Sequence, residues 1–200
     1  MPLVICLQRG FIIKGVYKYI FLYLLIQLIL NSVCSILAAE KVNNILLYQT
    51  NCLTSMVLLT LFFNEVIPAF KKHKWFKILS WSLVTLLTAY MFFEKKSSFN
   101  SHSFSYTGLI IVMYSLLYFY NKIAHPSLTK ITKEPVFWFV TGFFIYYSAT
   151  FMIFVSYGVL TEEQKIDVNL LWRLHNIIFF IMCVYISVGY LCITSRKTYY

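Results

Sequence analysis

Six polar or charged side chains stand out within or beside apolar sequence: Asn31, Glu40, Asn51, Arg173, His175 and Asn176. Gln27 and Asn31 are four apart, and Ser35 continues their stripe. Asn51 and Ser55 repeat the spacing, with Thr50 and Thr54 beside them. Residues four apart share one face of a helix. Amides and hydroxyls placed this way either line a polar cavity or hydrogen-bond one helix to another. The run Leu171-Trp172-Arg173-Leu174-His175-Asn176 is the least ordinary local sequence. A guanidinium within apolar surroundings must snorkel outward or find an acceptor, and Glu40, Asp167 and Glu163 are the candidates. Histidine changes charge near neutral pH, which suits proton sensing or contact with an anion. The alternative is that Trp172 is an interfacial anchor, Arg173 snorkels and His175 closes a hydrogen-bond network. Together the six residues define one candidate ligand-binding pocket, expected to face outward. Ser148 and Thr150 are further polar positions inside an apolar block, and Glu65 is a lone acid expected to pair with a nearby lysine.

Apolar blocks must position these residues. Hydrophobic residues make up 60% of the 200-residue chain and charged residues 12%, against about 25% charged in a typical soluble domain. Six blocks are expected to span a membrane: 16–38, 45–63, 78–93, 106–120, 136–160 and 170–194. They are continuous apolar runs without the in-out alternation of a barrel strand, and a spanning helix needs about 20 residues. The fold class expected is therefore all-α, a polytopic transmembrane helical bundle with six spans, short loops and no soluble domain, forming one domain over 1–200. Blocks three and four are short, and a re-entrant hairpin is their alternative. Pro135 stands where a fifth helix would start, a position proline tolerates; Pro68 and Pro126 fall in expected loops. The opening MPLVIC lies before Arg9 and Lys14, the reverse of a cleaved signal, and either rests on the membrane surface or reflects an upstream start choice.

Lysine and arginine set the orientation, because positive loops stay cytoplasmic. Arg9, Lys14, Lys18, Lys71, Lys72, Lys74, Lys77, Lys122, Lys130, Lys133, Arg196 and Lys197 fall on one side. Lys41, Lys95, Lys96 and Lys165 fall on the other. Twelve against four places both termini in the cytoplasm, and the membrane expected is the cytoplasmic (inner) one. The net charge of +10 is spread over loops with no recognition element, so nucleic acid is not an expected partner. The cluster Lys71-Lys72-His73-Lys74-Trp75 is either a contact for anionic headgroups or a topology signal alone.

The five cysteines, Cys6, Cys34, Cys52, Cys183 and Cys192, have no metal-type spacing and read as small apolar packing residues. No HExxH, GxSxG, P-loop or GxGxxG occurs, so no motif supports catalysis, and no cofactor or metal centre is expected. No span is broken by internal Gly or Pro, which counts against a secondary transporter.

Three short stretches carry a resemblance: Leu46-Leu47-Tyr48 with Leu61-Phe62-Phe63; Glu134-Pro135-Val136-Phe137-Trp138-Phe139-Val140-Thr141-Gly142 with Tyr146-Tyr147-Ser148; and Leu171-Trp172-Arg173-Leu174-His175-Asn176-Ile177. With these the chain resembles multi-pass integral membrane proteins of about this length from Bacteroidota-type bacteria, a group without an assigned activity. The resemblance implies a link to membrane signalling and sensor histidine kinases. Three functions therefore compete. The first is a sensory or partner-binding module that lacks its own effector, with the lipid bilayer around it, a protein partner at its cytoplasmic loops and a small-molecule ligand as its cue. The second is a small-solute transporter or its substrate-binding subunit, using Gln27, Asn31 and Asn51 as a pathway. The third is a structural subunit with every polar group paired.

Overall fold

The structure is a computed structural model that describes residues 1–8, 15–93, 101–126, 130–157, 159–163 and 167–197. Arg9, Lys14, Lys95, Lys96, Gly158 and Lys165 lie outside these residues, as do the side chains of Glu163, Arg196 and Lys197. Among the described residues eight α-helices follow in order: α1 (Pro2–Gln8), α2 (Tyr17–Ala39), α3 (Ile45–Val66), α4 (Pro68–Lys72), α5 (Lys74–Phe93), α6 (Ser101–Ala124), α7 (Pro135–Val155) and α8 (Val168–Lys197). A 3-10 turn, Ile131–Lys133, precedes α7, and a π turn, Val159–Glu163, follows it. The fold is all-α, and α2, α3, α5, α6, α7 and the Asn169–Ile193 stretch of α8 are long and apolar enough to cross a membrane. The chain is an integral membrane protein.

The boundaries correct the sequence reading in particular places. Block three grows into the 20-residue α5 and block four into the 24-residue α6. Both reach the length a crossing needs. Their first turns hold Lys74 and Lys77, or Ser101, Ser103 and Ser105, so hydropathy falls away before the helix does. The fifth helix ends at Val155, not 160, with Ser156 as its C-cap. Pro68 is not in a loop; it opens α4. Pro135 occupies the first turn of α7, as expected, behind an extended Glu134.

Two compact units form: Ile13–Thr107, and Met1–Ile12 with Gly108–Tyr200. In the first, α3 packs against α2, α4 and α5. The α2–α3 connection is tightly built. Lys41 takes a positive φ of 56°, Lys41 N–H donates to Ala38 O at 3.2 Å and Val42 N–H to Leu37 O at 2.9 Å. This is the Schellman pattern that satisfies helix-end carbonyls. Asn43 Oδ1 then accepts from Ile45 N–H at 3.0 Å just before α3, and Asn44 donates back to Cys34 O at 3.1 Å. Beyond it, Met56, Leu59, Phe62 and Phe63 on α3 are fully buried. Ser80 of α5 donates to the buried Asn64 Oδ1 at 3.2 Å.

In the other unit α7 and α8 pack along each other, and α1 lies on α8. Pro2 and Cys6, four apart, are buried, and Cys6 meets Tyr190. The opening segment is thus a packed helix. Burial pushes the Cys6 thiol up, an effect that the neighbouring Tyr190 partly offsets, so it is a packing group and not a reactive one. All five cysteines are free thiols.

The α6–α7 connection is closed by an ion pair between Lys122 Nζ and Glu134 Oε2, whose side chains are 26% and 15% exposed. Trp138 Nε1 donates to Thr132 O at 2.8 Å, and Phe119 packs edge-on against Phe137 and Phe144. Removing one partner of a fully buried pair costs about 3–5 kcal/mol; the partial exposure here reduces the expected loss for Glu134→Gln to about 1–2 kcal/mol. Unfolding of the Glu134→Gln, Lys122→Met and double variants in detergent would measure it. The double variant should lose clearly less than the two single losses added together. Additive losses would show that the pair contributes nothing of its own.

Candidate functional site

Two polar groups emerge, one in each unit, and they differ in how their hydrogen-bonding capacity is used. The first joins α2 to α3. Gln27 Nε2 donates to Asn51 Oδ1 and to Ser55 Oγ, each at 2.6 Å. Asn51 Nδ2 returns a bond to Gln27 Oε1 at 3.2 Å and reaches Asn31 Oδ1 at 3.3 Å. Asn31 Nδ2 also donates to Gln27 Oε1, at 3.3 Å. Gln27, Asn51 and Ser55 are buried. The two stripes read from sequence therefore meet, and they meet each other. Each amide oxygen and nitrogen finds a partner within the cluster, which makes it an interhelical clamp. Glu40 sits apart from it, exposed as the C-cap of α2.

The second group lies between α7 and α8. Tyr146, Thr150 and Phe154 are four apart and form one face of α7. The neighbouring stripe, Tyr147 and Phe151, faces α6, where Gly108 lets the backbones come close. The Tyr146 stripe faces α8: Tyr146 packs on Phe179 at 5.6 Å, and Phe154 on Trp172 at 5.9 Å between ring centroids. His175 stands among these rings, with centroids 5.4 Å from Tyr146, 5.6 Å from Phe154 and 5.5 Å from Trp172. The Tyr146 hydroxyl and His175 Nε2 share a hydrogen bond of 3.2 Å. His175 Nδ1 is sealed from the surface and has no hydrogen-bond partner among the described residues.

Thr150 sits between Tyr146 and Phe154 on the face that His175 touches, 2% exposed, and its hydroxyl is also unpartnered among the described residues. Thr60 shares this state, but several other serine and threonine hydroxyls do not. Thr54, Ser115, Thr141 and Ser187 all turn their hydroxyls back onto the carbonyl four residues earlier. Thr150 does not, so its hydroxyl remains unpartnered on the α7 face that packs against α8. Polar atoms buried in this way cost about 1–3 kcal/mol each unless something satisfies them. The box thus combines aromatic walls with two buried polar atoms, Thr150 Oγ1 and His175 Nδ1, that no described residue satisfies.

The six residues singled out from sequence thus divide between the units. Asn31, Glu40 and Asn51 belong to one, and Arg173, His175 and Asn176 to the other. Arg173 and Asn176 are exposed on α8 and make no hydrogen bond or ion pair among the described residues. Asp167, one of the acceptors considered for Arg173, instead caps α8 by accepting from Asn169 N–H at 2.9 Å. Trp172 forms a wall of the His175 box. Glu65 does pair with a lysine, Lys71, at 3.7 Å. Sequence reasoning picked out His175 and noted Thr150, but missed Tyr146 as their companion. The signal was present in the four-residue spacing of Tyr146, Thr150 and Phe154, an aromatic–polar–aromatic stripe. Among the described residues no group of three His, Cys, Asp or Glu side chains is placed to hold a metal ion. No family model, curated protein or solved structure matches this chain.

Proposed function

We propose that this protein is a sensory membrane module whose cue binds in the α7–α8 box, and whose output passes to a separate protein at its cytoplasmic loops. One observation carries the reading: His175 Nδ1 and Thr150 Oγ1 are both buried where α7 packs on α8, and neither has a hydrogen-bond partner among the described residues. The cue is a small uncharged molecule that bridges them. The lysine-rich loops and both termini lie in the cytoplasm of an inner-membrane protein. The excess of positive residues on that side supports this orientation, as does the packing of α1 beside Tyr190, late in α8. Binding that favours one packing of α7 on α8 over another would shift a two-state balance and be read at the loops. The association of similar-looking membrane proteins with signalling points the same way.

A transport pathway through Gln27, Asn31 and Asn51 has less support, because these amides already satisfy one another. The clamp matches what a structural subunit needs, but the orphaned atoms of the box do not.

Thr150→Val tests the reading through its sign. Valine keeps the shape and removes the hydroxyl. If a molecule from the native membrane bridges Thr150 and His175, protein extracted gently with that molecule loses about 1 kcal/mol on substitution, and mass spectrometry finds the molecule released. If the hydroxyl is simply orphaned, the valine variant is more stable by a similar amount and nothing is lost from the spectrum. The second result overturns the proposal. His175→Phe, which fills the box with another ring, should release the same molecule.

A further inference from the structure

We infer that the turn joining α3 to α5 is a binding site for the headgroups of anionic phospholipids. This does not depend on the α7–α8 box.

The turn is built, not slack. Ile67 and Phe70 are buried at its base, and Phe70 packs against Phe76 at 5.6 Å between centroids. His73 N–H donates to Ala69 O at 3.0 Å, closing α4, and the His73 ring lies 6.2 Å from Phe76. Around this base Lys71, Lys72, Lys74 and Lys77 are all exposed. Among the described residues one carboxylate answers them: Glu65, 3.7 Å from Lys71, with both side chains more than half exposed. Lys72, Lys74 and Lys77 have no ion-pair partner among the described residues.

Place decides the partner. Candidate spans end at Val66 and resume at Lys74, so the lysines have little chain on which to leave the membrane boundary. The polar layer there is only about 5–8 Å deep on each side, comparable to the reach of a lysine side chain. Trp75 projects from the first turn of α5 at 81% exposure, too open to serve packing within the protein. At the end of a span an indole is an interfacial anchor, apolar body inward and N–H toward the headgroups. Unpaired ammoniums beside an interfacial tryptophan recognise a phosphodiester that carries net negative charge. A zwitterionic headgroup supplies the phosphate but adds its own cation.

The test uses the full chain, extracted in mild detergent with phosphatidylglycerol or phosphatidylcholine added, and counts bound lipid by native mass spectrometry. Attachment to anionic lipid strengthens about fivefold per lysine. Wild type should therefore retain phosphatidylglycerol over phosphatidylcholine, and K72Q/K74Q/K77Q should retain at least about tenfold less. K72R/K74R/K77R should keep the preference, and excess inorganic phosphate should leave the lipid in place. Equal retention by wild type and the glutamine variant would overturn the site. So would complete displacement by phosphate, which would make a soluble anion the ligand. Because lysine removal can disturb insertion, a second measurement leaves the lysines intact. Trp75 fluorescence, isolated as the difference from Trp75→Phe, should be quenched more by brominated phosphatidylglycerol than by brominated phosphatidylcholine. Equal quenching would also sink the proposal.

Discussion

Gln27→Leu should destabilise the protein by about 2–4 kcal/mol, because it strands Asn51 without replacing what Gln27 supplied. Gln27 is the hub of the α2–α3 cluster: it donates to Asn51 and Ser55 and accepts from Asn51 and Asn31. Leucine has similar bulk, so little of the loss comes from packing. The loss comes from the Asn51 amide, which stays buried with only Asn31 to bond. Single interhelical hydrogen bonds in membranes average about 0.6 kcal/mol because the unfolded state within the bilayer finds other partners. An abandoned amide in a closed cluster loses more, since two of its bonds disappear together. Unfolding in mixed detergent micelles measures the change. Asn51→Leu added to Gln27→Leu should recover part of the loss, giving a coupling of about 1–2 kcal/mol. A double variant as unstable as the two single losses combined would mean that the cluster is not a coupled network.

That cluster also shows what the sequence makes visible. The stripes Gln27–Asn31 and Asn51–Ser55 follow from helical spacing and the scarcity of amides in apolar sequence, so each is legible alone. Their mutual pairing depends on how far α2 slides along α3, which the Schellman turn at Lys41 and the hydrogen bonds of Asn43 and Asn44 fix. The all-α class is legible for a stronger reason: six long apolar runs leave the backbone no way to satisfy itself in lipid except helices. Helix ends are less visible. The apolar residues Tyr157, Val159 and Leu160 carry hydropathy past the true end of α7 at Val155, while Lys74 and Lys77 cut hydropathy short at the start of α5. His175 was conspicuous as a lone imidazole in an apolar run. Its companions Tyr146 and Thr150 were not, because tyrosine is common throughout this chain and the register of α7 on α8 is a property of packing.

That register rests on two glycines, and the second large effect follows from them. Gly189→Ala should cost about 2–3 kcal/mol although it adds a single methyl. A Cβ there would run into the Phe139 ring and approach Pro135 O to 3.0 Å. Phe139 is fully buried and packs edge-on against Tyr190 at 5.1 Å, so its ring has no space into which to retreat, and Pro135 O is backbone. Gly142→Ala should cost less, about 1 kcal/mol, because its Cβ would sit 3.0 Å from Tyr185 Cβ and 3.3 Å from Met182 O, contacts that a small shift relieves. The pair discriminates close backbone approach from a general intolerance of α7 and α8 to substitution. Gly189→Ala combined with Phe139→Leu, which shortens the obstructing side chain, should regain about half of the loss, as read by unfolding in detergent. Equal losses at Gly142 and Gly189, or no recovery in the double variant, would show that Phe139 is not the obstacle. The shift that Gly189→Ala forces is also transmitted toward His175 along the same helix pair. The same variant should therefore weaken retention of whatever molecule Thr150→Val releases, whereas Glu134→Gln should not.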